Sequence, residues 1–143
     1  MPAKRKVSYS KLMKQHLKVL RSLQYKSGLF SASAHNGHTG YDKSWLRDNF
    51  YECLPFMIIG DYEASKKTYQ SLLSIFLKHE DKIDHAIAAK PKHTHQYIHA
   101  RYNPHTFNEY WEEWGNKQHD AIGEVLYGIG WLEGKCKIKI LES

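Results

Sequence analysis

Arg47 and Asp48 stand side by side at the head of an apolar run, two residues after Trp45, in the stretch "KSWLRDNFYECLPFMIIGD". A guanidinium offers rigid donors and a carboxylate offers acceptors, so the two together can hold neighbouring hydroxyls that each donate and accept. An aromatic face beside them can stack on the apolar C–H face of a sugar ring. A plainer reading places Asp48 in a first helical turn for the dipole and leaves Arg47 exposed, and spacing alone favours that one. A second stretch dense in aromatic and charged residues follows far downstream, "HARYNPHTFNEYWEEWGNKQHDAIGEVLY".

Other constellations carry less. His93, His95 and His99 lie close together in "KHTHQYIH", and an H-x-H pair can ligate zinc from an extended strand. No third ligand follows at a standard spacing, and 10 histidines make chance clusters common, so no metal site is expected. Cys53 falls inside the apolar helical segment, where thiols are buried and unreactive, which argues against a Cys-His nucleophile. The glycines do not spell a phosphate-binding loop, and no cofactor is expected.

The elements that must position these residues are helical. Ser8 or Ser10 can cap a first helix whose Met13, Leu17 and Leu20 recur at helical spacing. Gly28 ends that region, and "SGLFSASAHNGHTGY" reads as loop or short strand. A second helix is predicted from near Ser44 to Ile59, kinked or interrupted by Pro55, closed by Gly60, with Asp61 able to cap the next. In the third, Ala64, Thr68, Leu72, Ile75 and His79 share one stripe. An irregular stretch from about Ala89 to Gly115 is long for a compact domain, which points to function. A fourth helix begins near Asn116 and packs Ile122, Val125, Leu126, Ile129 and Leu132. Its Gly123, Gly128 and Gly130 weaken it, so a close helix–helix approach is expected in compensation. The fold class is all-α.

A chain of 143 residues, 41% hydrophobic and 25% charged, suits one soluble globular domain. No apolar run approaches the roughly 20 residues that span a membrane. The opening "MPAKRKVSYS" lacks the apolar segment of a signal peptide, and 2 cysteines make no disulfide framework. A cytoplasmic protein with free cysteines is the reading that follows. The net charge of +6 comes mainly from Lys4, Arg5, Lys6, Lys11, Lys14, Lys18, Arg21 and Lys26. Residues 1–8 read as a basic, flexible tail, and the rest as the solvated face of a helix. Without a recognisable nucleic-acid motif, binding of nucleic acid by that first helix is the weakest reading.

The two motif stretches together resemble glycoside hydrolase family 15, the glucoamylase-like enzymes, and equally the related domain of the phosphorylase kinase alpha and beta subunits. The family pattern is a Tyr four residues before the Trp and then W-x-R-D, matched by Tyr41, Trp45, Arg47 and Asp48. Its H-A-[RK]-Y-N segment is matched by His99, Arg101, Tyr102 and Asn103, and W-G-x-x-Q-x-D-[AG] by Trp114, Gly115, Gln118, Asp120 and Ala121. The resemblance covers roughly Tyr9 to Glu133. It implies an (α/α)6 barrel of twelve helices with the site where the loops converge, and inverting release of glucose from α-glucans or α-glucosides. By that resemblance Arg47 and Asp48 hold the terminal glucose, Tyr41 and Trp45 line the same subsite, and Arg101, Trp114, Gln118 and Asp120 are wall or supporting residues.

The departures from the family matter as much. Inversion needs one carboxylic acid for the leaving oxygen and one carboxylate for water, and in the family both glutamates lie well downstream of the W-G-x-x-Q-x-D segment. Glu112 and Glu113 precede that segment, so they are read as a polar rim and no catalytic residue is assigned. The alternation in "EGKCKIKILES" reads as though a further element had been cut off, and about four helices would form only part of a barrel with its inner faces exposed. Residues 1–143 are therefore expected to be the amino-terminal part of such a domain, inactive alone. The remainder of the barrel on another chain, or self-association, would cover the apolar faces. The alternative reading is a non-catalytic, phosphorylase-kinase-like glucan-binding or regulatory module.

Overall fold

The structure is a computed structural model and describes residues 8–35, 41–112 and 115–141. Among them are five α-helices: α1 (Tyr9–Leu23), α2 (Leu46–Ile58), α3 (Tyr62–Lys78), α4 (Glu80–Ala89) and α5 (His119–Gly134). Two short strands, β1 (Ser44–Trp45) and β2 (Arg101–Tyr102), pair antiparallel, with Ser44 opposite Tyr102 and Trp45 opposite Arg101. A single 3₁₀ turn spans Thr94–Gln96. The all-α class holds, in an arrangement consistent with part of a helical toroid. The expected tail lies outside the described residues apart from Ser8.

The core is the layer where α2, α3 and α5 meet. Leu46, Cys53, Phe56 and Met57 of α2 face Tyr69, Leu72 and Ile75 of α3 and Val125, Ile129 and Leu132 of α5. Leu29 and Phe30 close one edge, with Phe30 stacked on Phe56 at 5.8 Å. The α3 stripe is as expected, with Tyr69, Ser65 and Ser71 added to it. On α5, Leu126 is instead 57% exposed, because Val125 and Ile129 already fill the face that meets α2 and α3. On α1 no residue is buried. Leu17, Leu20 and Leu23 touch the core while Met13, one turn earlier, has nothing over it and is 51% exposed.

The helix ends show which local signals act. Gly60, with φ of 77°, closes α2 in a Schellman arrangement: its N–H donates to the Met57 carbonyl and the Asp61 N–H to that of Phe56. Pro55 does not interrupt the helix. It sits in the last turn, where the missing N–H costs one bond, and the helix runs on to Ile58. Asp61 occupies the N-cap position of α3 but makes no side-chain cap, because its carboxylate pairs with Arg21 of α1. The third helix of the sequence reading is two helices. The chain breaks at His79, whose ring turns to the Phe107 carbonyl at 2.9 Å. Lys78 donates to the Thr106 carbonyl at 2.7 Å, and Lys82 pairs with Glu109. The α3–α4 junction thus holds the long downstream loop in place.

The predicted close helix–helix approach is found at one glycine. A Cβ on Gly128 would stand 2.0 Å from the Tyr69 hydroxyl oxygen, whereas Gly123 and Gly130 have nothing within 4 Å. Gly128→Ala is expected to destabilise the fold by about 1–3 kcal/mol through overpacking. Gly130→Ala, on the open side of the same helix, should be neutral or stabilising by up to about 1 kcal/mol. Paired urea melts check both, and equal effects at the two positions would show that Tyr69 does not constrain α5.

Candidate functional site

The two motif stretches meet at the β1–β2 pair. Trp45 ends β1 and leads directly into α2, and its cross-strand partner is Arg101. Asn49, one turn into α2 and fully buried, fixes this entry: its Nδ2 donates to Ser44 Oγ at 2.8 Å and to the Trp45 carbonyl at 2.6 Å, and its Oδ1 accepts the Phe30 N–H at 2.8 Å. The Leu46 N–H donates to the Ala100 carbonyl at 3.0 Å, which ties the start of α2 to the residue before β2.

Around that pair the aromatics and charges gather. Tyr41 stacks on Trp45 with ring centroids 5.8 Å apart and planes 22° apart. The Arg101 guanidinium lies between two rings, 5.5 Å from Trp45 and 5.7 Å from Tyr110. It is buried and donates to Glu112 at 2.8 Å, while Lys43 stands 3.9 Å from the same carboxylate and 4.3 Å from the Tyr110 ring. Glu112 therefore neutralises a buried cation. His99 braces the segment. Its Nδ1 accepts the Arg101 N–H at 3.1 Å, so Nε2 carries the proton and donates to the Glu112 carbonyl at 3.0 Å. Burial lowers its pKa and keeps the ring neutral. Asn103 then turns the chain through its Oδ1, which accepts the His105 and Thr106 N–H groups at 2.9 and 3.0 Å.

Arg47 and Asp48 do not face each other's partners. Consecutive helical residues point about 100° apart, and Arg47 reaches across to α5, where it makes a two-pronged contact with Asp120 at 2.9 and 2.5 Å. Its carboxylate partner is held below the usual range by that guanidinium first of all. Both side chains are about half exposed, at 42% and 56%, so the pair orients Arg47 more than it stabilises the fold. Asp48 occupies the first turn of α2, half-buried. Burial raises its pKa, against its own backbone N–H and against Arg47. Gln118 donates to the Gly115 carbonyl at 2.8 Å and ends at the N-cap of α5, which begins at His119 rather than near Asn116. Trp114 lies outside the described residues.

Among the described residues, then, the fold brings Tyr41, Trp45 and Arg101 into contact and Asp120 onto Arg47. Sequence reasoning missed Lys43, Tyr110 and Asn49. The last had a signal, an amide among apolar residues inside a helix, where an unpaired polar group would be costly. His93 and His95 stack at 5.6 Å, and among the described residues no group of three metal-ligating side chains is gathered. Cys53 is buried and its thiol is pushed up to about 12, mainly by burial, which makes it inert. Among the described residues no helix is long and apolar enough to cross a membrane.

The model of the family described as Glycosyl hydrolases family 15 matches residues 7–131. The chain belongs to this family. No curated protein matches the sequence at a significant level. For a member of family 15 the matched span takes in both motif stretches and every residue assigned above, and it places the chain in carbohydrate metabolism as a glycoside hydrolase-like protein.

Glu52 has no counterpart among the residues anticipated. It follows Asp48 by one turn of α2, and its Oε2 is buried with no hydrogen-bond partner. Burial, and secondarily the Asp48 carboxylate, push its pKa up from 4.5 to about 8. A raised folded-state value means that the native state holds a proton which the unfolded chain has released. Stability should therefore fall as pH rises from about 4.5 to about 8, by up to about 1.4 kcal/mol per pH unit. Glu52→Gln should flatten that slope, matching the parent at pH 4.5 and exceeding it at pH 8. Urea midpoints across the window test this, and an unchanged slope in the variant would place the titration elsewhere.

Proposed function

We propose that this chain supplies the terminal-glucose subsite of an inverting, glucoamylase-like α-glucosidase, acting on an α-glucan or α-glucoside. The observation that carries the reading is the pairing of Trp45 with Arg101, through both the strand register and the guanidinium over the indole ring. Two motifs far apart in sequence form one wall. In this reading the Tyr41–Trp45 stack takes the apolar face of the sugar ring. Asp48 accepts from its hydroxyls, and Arg47, held by Asp120, donates to them.

Glu112 is engaged with Arg101 and Lys43, so the acid and base of inversion are not assigned to this sequence, and the chain alone binds without turnover. Tyr51, Leu126 and Tyr127 leave apolar surface on α2 and α5, with exposures of 54%, 57% and 58%. The remainder of a barrel, or a second copy, would cover it.

Calorimetric titration with maltose or isomaltose, beside a glucose-release assay, tests the reading. Asp48→Asn keeps the volume and removes a charged acceptor, a loss of about 1.5–3 kcal/mol, which corresponds to roughly ten- to hundredfold in affinity. A residue serving only the helix dipole would instead lose about 0.3–1 kcal/mol of stability and no affinity. Unchanged sugar binding with a lowered melting temperature would refute the subsite. Glucose release abolished by changing Glu112 would refute its reading as a rim residue.

A further inference from the structure

The break between α3 and α4 meets the second motif stretch at a cluster of titratable groups that the sugar reading leaves unused. His79 follows the last turn of α3, and its Nε2 stands 2.9 Å from the Phe107 carbonyl. A carbonyl only accepts, so Nε2 carries the proton and Nδ1 of the neutral ring is bare. That bare nitrogen faces Glu109 Oε1 at 3.8 Å, too far for a hydrogen bond. Oε1 is itself buried and has no hydrogen-bond partner. Two acceptors confront each other with no proton between them.

The other charges around the ring are already engaged. Glu109 Oε2 pairs with Lys82, which also donates to the His95 carbonyl at 3.0 Å. Lys78 is turned to the Thr106 carbonyl, and Glu80 at the start of α4 is exposed. From β2 the Tyr102 ring packs on His79 at 5.2 Å, its hydroxyl held neutral by burial. Phe107, whose carbonyl His79 reaches, takes φ of 58°, a left-handed conformation that bulky residues seldom adopt. Outliers of this kind gather at clamps and switch regions.

We propose that His79 is a positioning residue which, when protonated, latches the wall of the candidate site through Glu109. A proton on Nδ1 turns the bare acceptor into a donor for Oε1. An approach of about 1 Å then closes a charge-assisted bond, and both carboxylate oxygens of Glu109 are met. Histidine charges between about pH 5 and 8, so the latch is closed at the acid end and open at the alkaline end. Glu109 bridges to Tyr102, which follows Arg101 in β2, and precedes Tyr110, whose ring lies 5.7 Å from the Arg101 guanidinium. Latching thus steadies the backbone on both sides of the group that sits over Trp45. Its effect on sugar rests on the subsite reading; the latch itself does not.

Amide hydrogen exchange and imidazole nitrogen shifts, followed in the full chain from about pH 5.5 to 8, test it. After correction for intrinsic exchange, protection at Glu109, Tyr110 and Trp111 should fall roughly tenfold as the His79 ring loses its proton. Glu109→Gln sets an amide N–H against the neutral Nδ1 and a carbonyl against Lys82, so protection should stay high at every pH. His79→Gln removes the titrating ring and should abolish the step. Maltose affinity should show the same step in the parent and lose it in both variants. If neither variant folds, the parent decides alone, because the protection step must coincide with the His79 nitrogen shift. A flat parental profile, a step at a different pH, or a step that survives in both variants overturns the proposal. Exchange decides the latch whether or not maltose binds, and maltose failing to bind at every pH refutes the subsite instead.

Discussion

An amide buried in an apolar helix face costs several kcal/mol unless its polar atoms find partners, and Asn49 finds three. They lie on two other segments: Ser44 and Trp45 before α2, and Phe30 in the turn after α1. A requirement for satisfaction at one residue thereby sets the angle at which β1 enters α2, and with it the direction of Trp45. It also brings in the 28–31 segment, where Gly28, with φ of 101°, is pressed against the Lys67 backbone. Its carbonyl accepts from Thr68 Oγ1 at 2.7 Å. The site wall, the α1–α2 turn and the α2–α3 interface therefore share one hydrogen-bonded centre.

What the sequence disclosed was periodic or chemically specific. Helices with an unbroken apolar stripe were legible, as was the closure of α2, because Gly60 takes a conformation that other residues rarely adopt. So was the buried, inert state of Cys53. The break between α3 and α4 was not, since His79 continues the stripe and only its contact with Phe107, far along the chain, turns it out of the helix. Asp61 read as a cap and became the partner of Arg21 for the same reason: a long-range ion pair competed with a local bond. Leu126 misled because helical period alone does not say which arc of a stripe a neighbour covers.

The site divides along the same line. Motif spacing singled out Tyr41, Trp45 and Arg101, and the fold brings these three side chains into contact. How Arg47 is held was not legible, because adjacency in sequence invites pairing with Asp48 whereas helix geometry points the two apart. The carboxylate that meets Arg47 comes from α5. Glu112, read as a rim residue, is a counter-charge to the buried Arg101.

Arg47 with Asp120 and Tyr51 with Glu124 are both separated by 73 residues. A constant offset between successive contacts means that α2 and α5 run parallel and in step, four residues to four residues. Continued along the helices, the same offset brings the end of α2 beside Gly128, where the missing side chain admits Tyr69 and lets α5 settle against α3. Helix spacing at the far end and side-chain placement at the site end are therefore one geometric fact. If α5 were pushed outward at Gly128, Asp120 would withdraw from Arg47. Gly128 thus belongs to the packing that sets where Asp120 meets Arg47.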